Sequence, residues 1–345
     1  MKKKIIISVA AVLFITIMLA LFSSLLVPKY ITNPEGRLTG EYYSQSSDND
    51  VIFLGDCEVY ETFVPAVLWE KYGISSYVRG SAQQLIWQSY YILEETLKHE
   101  TPKAVVFNVY SLKYGIPQSE AFNRMTFDTM KWSKPKLDAI RASMTEEESI
   151  IDYIFPLLRY HSRITELEKN DFKYWFSDPD AVSDSGYLMQ TGIVPRPEQP
   201  ETPRPLRDYD FSQNAIDYLD KMRDLCKVNG IELILVKAPT NSWNYYWYDE
   251  YEEQVVDYSQ KNGLKYYNLI EKEVDIGIDW NVDTYDEGFH LNVYGAEKTT
   301  EYFGKMLSEE LQIPNRKNDE ALAQKWDERV QKYKDRKEQM EGEEK

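Results

Sequence analysis

The chain has 345 residues, a formal net charge of −17 and an isoelectric point near 4.8. Such an acidic chain repels phosphates, which excludes nucleic acid as its partner. Its two cysteines are too few for a disulfide scaffold, and its length allows one large α/β domain or a core domain with an insertion.

The amino terminus has the pattern of a membrane anchor. Residues 5–27 carry no charge and follow Lys2, Lys3 and Lys4. At about 1.5 Å per helical residue, this run reaches about 35 Å, enough to cross a hydrocarbon core of about 30 Å. We predict a single transmembrane signal-anchor over residues 1–29, with the lysines in the cytoplasm and the rest of the chain on the outer face of the cell membrane. A cleaved signal peptide is the alternative, but the run is long for one and no A-x-A site follows.

Residues 30–49 are polar and turn-rich, which predicts a tether, and an α/β domain is expected over 50–312. Short apolar runs predict buried parallel strands, and helical patterns at 83–100 and 214–230 lie between them. Alternating strands and helices predict an α/β fold with a parallel sheet covered by helices on both faces and the ligand crevice at the carboxyl ends of the strands. The predicted strands are 51–55, 74–80, 103–111, 231–239 and 264–271.

The alternation is interrupted at about 115–210, which predicts an insertion between the third and fourth strands. Residues 118–176 have helical character, and 193–207 hold five prolines, typical of an extended cover or linker. Residues 313–345 are densely charged and predict a solvated helix or a frayed tail.

The first candidate for chemistry is Cys57, in the sequence VIFLGDCEVYETF. A strand ends at Gly55 and a helix is expected to begin just after Cys57, where the helix dipole favours a thiolate. A small buried cysteine that only fills space is the alternative. Cys226 lies in a helix before the fourth strand, at the opposite edge of the sheet, so no disulfide is expected between the two cysteines.

The second candidate is His290, one of three histidines, in the loop before the last predicted helix. Carboxylates at 283, 286 and 287 are near enough in sequence to orient its ring, as a catalytic triad requires. A surface histidine among solvated acids is the alternative. The surroundings of His99 and His161 favour packing or ion pairs instead.

Together, FLGDC and EGFHLN resemble the first and last blocks of the SGNH (GDSL) hydrolase family, over roughly 48–112 and 214–311. Within it, the chain is similar to membrane-tethered members that work beside membrane-bound O-acyltransferases, such as the D-alanyl transfer protein of teichoic acids and alginate O-acetylation proteins. The chain departs from the pattern at two positions: Cys57 replaces the nucleophilic serine, and Glu287 replaces the aspartate three residues before the histidine.

The resemblance implies the three-layer, flavodoxin-like fold of the family. It also implies Cys57 as nucleophile, His290 as general base and Glu287 as the orienting acid, with Asp286 as the substitute. Gly80 would supply an oxyanion N–H, and Asn108 is the one match to the third block, which lacks its glycine and aspartate. The implied function is an esterase or O-acyltransferase that acts on acyl esters of a cell-surface polysaccharide or polymer.

A cysteine at this position leaves two functions open. A thiol forms a thioester that water or an alcohol can attack, so the chemistry is permitted. Alternatively, the chain is a non-catalytic accessory module that binds a glycan or a membrane-bound O-acyltransferase. No cysteine or histidine cluster has metal-ligand spacing, so neither a metal nor another cofactor is expected.

Overall fold

The computed structural model describes residues 2–45, 48–198, 202–241 and 246–343. Short pieces of the predicted segments lie outside the described residues, namely Met1 of the anchor, 46–47 of the tether, 199–201 of the proline-rich stretch, 242–245 of the α/β domain and 344–345 of the tail.

A five-stranded parallel sheet in the order β2-β1-β3-β4-β5 forms the centre of the chain. This order is that of flavodoxin-like doubly wound sheets, in which strands are added to one side of β1 first and then, from β3 on, to its other side. The prediction of a parallel α/β sheet is confirmed, although the third strand ends at Asn108 and residues 109–113 form a 3-10 helix. The strands are β1 (Val51–Gly55), β2 (Ser76–Gly80), β3 (Ala104–Asn108), β4 (Glu232–Lys237) and β5 (Lys265–Asn268).

Helices cover both faces of the sheet because successive strand residues point to opposite sides. In β1, Ile52 and Leu54 join the apolar core formed with α5 and α11. Val51 and Phe53 join the core formed with α4 and α14.

The helices up to β3 are α1 (Lys2–Leu26), α2 (Leu38–Gln45), α3 (Cys57–Tyr60), α4 (Pro65–Tyr72) and α5 (Ile86–Thr96). Those between β3 and β4 are α6 (Glu120–Phe127), α7 (Lys134–Ser143), α8 (Ile150–Ile154), α9 (Pro156–Tyr160), α10 (Lys169–Lys173) and α11 (Gln213–Val228). The remaining helices are α12 (Asp249–Asn262), α13 (Glu273–Ile276), α14 (Val293–Glu309) and α15 (Glu320–Glu343).

Helix α1 is long and apolar enough to span a membrane, with a mean hydropathy of 3.0 over its most apolar window. Its first part, residues 2–20, is exposed throughout, and burial against the rest of the chain begins at Leu21. The helix therefore projects from the α/β domain.

Two segments that were expected to be loosely attached pack on the domain instead. In the predicted tether, α2 buries Leu38 and Tyr42, and the Glu41 carboxylate accepts hydrogen bonds from Ser183. In the predicted tail, α15 buries an apolar stripe, and the ring of Trp326 stacks on that of Trp69 at 5.6 Å. The low apolar content of α2 and α15 did not predict this packing, but the apolar residues of each helix lie on one face.

Cys57 and Cys226 are both buried, and neither forms a disulfide bond. Cys226 lies in α11, which leads into the amino end of β4, whereas Cys57 follows the carboxyl end of β1. The prediction that the two cysteines do not form a disulfide is confirmed.

Candidate active site

Cys57 lies at the carboxyl edge of the sheet, where the chain passes from β1 into α3. The Asp56 side chain caps α3 by accepting a hydrogen bond from the backbone N–H of Glu58 at 3.2 Å. Gly55 has a φ of 155°, and a Cβ there would lie 2.4 Å from Cγ2 of Val59. A glycine is therefore required for the turn that brings Cys57 to the end of the strand.

His290 is held in a loop fixed at both ends. Thr284 and Leu291 form an isolated antiparallel bridge, and Asn292 caps α14 while its side chain donates to the carbonyl of Val282 at 2.8 Å. Because this loop precedes a helix packed on the sheet, it reaches the same edge as Cys57.

Cys57, His290 and Asp286 form a connected row of side chains. The Cys57 thiol lies close enough to the His290 imidazole for each group to shift the pKa of the other. Nδ1 of His290 lies 2.6 Å from Oδ2 of Asp286, and the His290 backbone N–H donates to Oδ1 of the same carboxylate at 2.8 Å. With Nδ1 turned to a carboxylate, Nε2 is the ring atom left to exchange a proton with the thiol.

The sequence pattern favoured Glu287 as the orienting acid, and the structure places Asp286 in that position instead. Glu287 and Gly288 have φ values of 63° and 93°, and the turn closes with the N–H of Phe289 donating to the carbonyl of Asp286. This left-handed turn directs Glu287 to an exposed position and returns His290 to the side of Asp286.

A second carboxylate near His290 was missed by the sequence analysis. Oε2 of Glu61 lies 3.5 Å from Nδ1 of His290, and Oε1 accepts a hydrogen bond from the Tyr285 hydroxyl at 2.9 Å. The Tyr285 ring lies nearly parallel to the imidazole, with centroids 6.1 Å apart. Glu61 is only 4% exposed, and burial raises its pKa to about 7.

The prediction that the Cys57 position lowers the thiol pKa is wrong. Burial raises the pKa of Cys57, although the charge and hydrogen bond of His290 act in the opposite direction. Burial also opposes the charge on His290, but the Cys57 thiolate, Glu61 and Asp286 outweigh it and raise the pKa of the ring. The dipole of α3 does little to lower the thiol pKa, because the helix has a single turn. Cys57 and His290 interact strongly enough to titrate as a pair that shares one proton.

The two proposed oxyanion residues flank β1 at the level of Gly55. Gly80 is paired with Gly55 in register, and Asn108 follows Phe107, which is paired with Leu54. The Asn108 amide nitrogen donates to Oε2 of Glu58 at 2.9 Å and to Oδ1 of Asp56 at 3.4 Å, while its oxygen accepts from the N–H of Ala238. Its amide therefore supports the turn at Cys57, which does not fit the oxyanion role implied for it.

A buried ion pair lies beneath this edge and was also missed. Nζ of Lys237 is 2.8 Å from Oε2 of Glu58, with side chains 0% and 1% exposed. Burial, followed by repulsion from Glu58, raises the pKa of Asp56 to about 7. The three acidic residues of DCEVYE are thus all buried, whereas charged residues in a short helix normally face solvent.

The comparisons with known proteins place the chain in no family. No protein-family model matches it, and no curated protein is similar to it in sequence. Within residues 2–45, 48–198, 202–241 and 246–343, no group of three or more His, Cys, Asp or Glu side chains is arranged to hold a metal ion.

Stability should fall as the pH rises from about 4.5 to about 7. Folding raises the pKa of Glu61 from its usual 4.5 to about 7, so in this window the folded state retains a proton that the unfolded state has lost. A shift of this size is worth about 3 kcal/mol. Glu61→Gln should make the melting temperature in detergent micelles less steeply dependent on pH, and Asp56, whose pKa is also raised to about 7, should account for part of the slope that remains.

Glu287→Gln is the matched control, since Glu287 is exposed and should leave the pH dependence unchanged. Equal slopes in the wild type and in Glu61→Gln would show that the Glu61 carboxyl is not the group that titrates.

Proposed function

We propose that this chain is an SGNH-type esterase or O-acyltransferase that acts on acyl esters of a cell-surface polysaccharide or polymer. The observation that supports this most is the row Cys57–His290–Asp286 at the carboxyl end of β1, beside the point where the strand order reverses. Ligand sites of open α/β sheets lie at such switch points.

In the proposed reaction, the Cys57 sulfur attacks the acyl carbonyl and its proton passes to Nε2 of His290. The oxyanion is stabilised by backbone N–H groups near Cys57 and Gly80. Collapse breaks the ester bond, the leaving alcohol takes the proton from His290, and a thioester remains on Cys57. His290 then removes a proton from water or a sugar hydroxyl, whose oxygen attacks the thioester carbonyl. The C–S bond breaks, the acyl group leaves on that oxygen as an acid or an ester, and the imidazolium returns its proton to the Cys57 sulfur.

The role of Asp286 is to hold the imidazole. Its hydrogen bond to Nδ1 fixes the tautomer in which Nε2 can accept the thiol proton, and its charge stabilises the imidazolium that forms. Glu61 adds a second negative charge beside the same nitrogen when it is ionised.

The full-length protein in detergent should hydrolyse small aryl acetates, and Cys57→Ala should reduce this rate to that of the uncatalysed reaction. Cys226→Ala is the matched control, because Cys226 lies near the amino edge of the sheet, and it should retain the wild-type rate. Hydrolysis that survives in Cys57→Ala would contradict Cys57 as nucleophile.

One observation favours the second candidate, a non-catalytic accessory module that binds a glycan or a membrane-bound O-acyltransferase. Cys57 is only 8% exposed, and the Asn108 amide is engaged with Asp56 and Glu58. A wild-type protein that gives no turnover, in which Cys57 reacts with iodoacetamide no faster than free cysteine, would favour this module.

We further propose that α1 anchors the protein in the cell membrane and that the α/β domain is extracytoplasmic. Carbonate at high pH should leave the protein in the membrane pellet, and protease added outside intact cells should degrade the domain. A soluble, shortened mature chain would contradict the anchor, and a domain protected until the cells are lysed would contradict the orientation.

A further inference from the structure

Outside α1, most of the exposed large hydrophobic side chains of the described residues lie in the insertion. We define the apolar face as six of them, carried on α8, α9 and the stretch that includes α10: Ile151, Ile154, Phe155, Leu158, Phe172 and Phe176. Phe155 is 61% exposed and Phe176 is 77% exposed. Exposed apolar clusters of this kind mark sites of contact with lipid or protein.

The segment that carries the apolar face is attached to the end of α1. The Leu157 N–H donates to Oγ of Ser23 at 3.1 Å, and Trp175 Nε1 donates to the Leu21 carbonyl at 3.2 Å and to Oγ of Ser24 at 3.0 Å. These hydrogen bonds fix the position of the apolar face along the axis of α1, beside the last turns of that helix.

The length of α1 places these contacts at the outer boundary of a bilayer. With Ile5 at the inner boundary, a hydrocarbon core of about 30 Å takes about 20 residues and ends near Ser24. Burial of α1 by the insertion begins at Leu21, which is about 5 Å inside that boundary. Interfacial helices bury their apolar side chains to a depth of about 5–10 Å.

The polar groups around the apolar face also suit the headgroup region. Trp175 bonds to the last turns of α1, and tryptophan is enriched at this level of membrane proteins. Arg163 donates to the Leu26 carbonyl, and Nζ of Lys29 donates to the Ser24 carbonyl at 2.7 Å. Residues 149–177 contain four Lys or Arg and four Asp or Glu, so the formal charges of this segment balance, whereas the whole chain has a net charge of −17.

From these observations we propose that the segment 150–176 lies on the outer surface of the membrane and inserts its apolar face at the boundary between headgroups and acyl chains. The inference rests on the anchor and orientation proposed above and adds a second membrane contact. Two contacts would fix how the domain is presented to the bilayer, because one helix alone allows it to rotate and tilt.

The test uses the full-length protein with an environment-sensitive nitrobenzoxadiazole label on single cysteines, in a Cys57→Ser/Cys226→Ala background. Phe155→Cys and Phe176→Cys report on the apolar face, Leu13→Cys reports on the anchor, and Val228→Cys, which is 84% exposed on α11, is the matched control. Samples are nanodiscs of phosphatidylcholine and phosphatidylglycerol, with and without lipids that carry a quenching doxyl group near the headgroup or deep in the chain.

We expect shallow doxyl lipid to reduce emission by about twofold or more at Phe155 and Phe176, and to leave Val228 unchanged. Deep doxyl lipid should quench Leu13. Quenching at Leu13 without quenching at Phe155 and Phe176 would overturn this inference alone. A blue-shifted but unquenched label at those positions would do the same, since it would indicate cover by protein. Loss of quenching at Leu13 would overturn the anchor as well.

Discussion

Replacing Asp286 with asparagine should lower kcat/KM for aryl acetate hydrolysis by about 10²- to 10⁴-fold. The carboxylate lies 2.6 Å from Nδ1 of His290 and fixes its tautomer, whereas an amide can donate to Nδ1 and leave Nε2 protonated. Glu61 lies 3.5 Å from the same nitrogen and should partly replace Asp286 as the acid beside the ring. The loss in kcat/KM should therefore be nearer 10²-fold than 10⁴-fold.

The matched control is Glu287→Gln, one residue further along the same turn. Its side chain is exposed, so kcat/KM should stay within about twofold of the wild type. A large loss of kcat/KM in Glu287→Gln together with a small loss in Asp286→Asn would show that Glu287 is the orienting acid, as the sequence pattern favoured. That result would contradict the geometry of the loop.

Breaking the ion pair between Lys237 and Glu58 should cost about 3–5 kcal/mol of unfolding free energy. Lys237→Met removes a cation that is 0% exposed and leaves the Glu58 carboxylate buried beside Asp56 without its ion-pair partner at 2.8 Å. Guanidinium unfolding of the full-length protein in detergent measures the loss. Lys237→Met/Glu58→Gln should recover part of it, because the uncompensated charge is then removed.

Lys265→Met is the matched control for this measurement. Lys265 pairs with Glu232 at 2.9 Å, but both side chains are about two-fifths exposed, and such surface pairs are worth about 0–1 kcal/mol. Equal losses in Lys237→Met and Lys265→Met would contradict the view that Lys237 neutralises a buried charge under the turn at Cys57.

The sheet was predictable because its three central strands, β1, β3 and β4, are buried on both faces. They are short, mostly apolar runs such as VIFLG, and the alternation with helices fixes the parallel arrangement. Helices α2 and α15 were not predicted to pack, because polar and charged residues dominate their composition. Their burial depends on partners that are distant in sequence, such as Trp69 for Trp326.

For the candidate site, the sequence indicated Cys57 and His290 because a strand end and a helix-preceding loop meet at the same edge of the sheet. The choice between Asp286 and Glu287 depends on left-handed backbone at Glu287 and Gly288, which composition does not reveal. The buried charges of Glu61, Glu58 and Lys237 were missed because their neutralising or hydrogen-bonding partners come from other parts of the chain, with β4 supplying Lys237 and the His290 loop supplying Tyr285.

Covalent capture of the acyl group on Cys57 tests the central claim most directly. The full-length protein in detergent is mixed with an aryl acetate, quenched rapidly in acid and mapped by peptide mass spectrometry. We predict one acetyl group on the Cys57 peptide, removable by neutral hydroxylamine as expected for a thioester, present in Cys226→Ala and absent in His290→Ala. Turnover without an acetyl group on Cys57, or acetylation at the same rate in His290→Ala, would contradict a Cys57–His290–Asp286 triad.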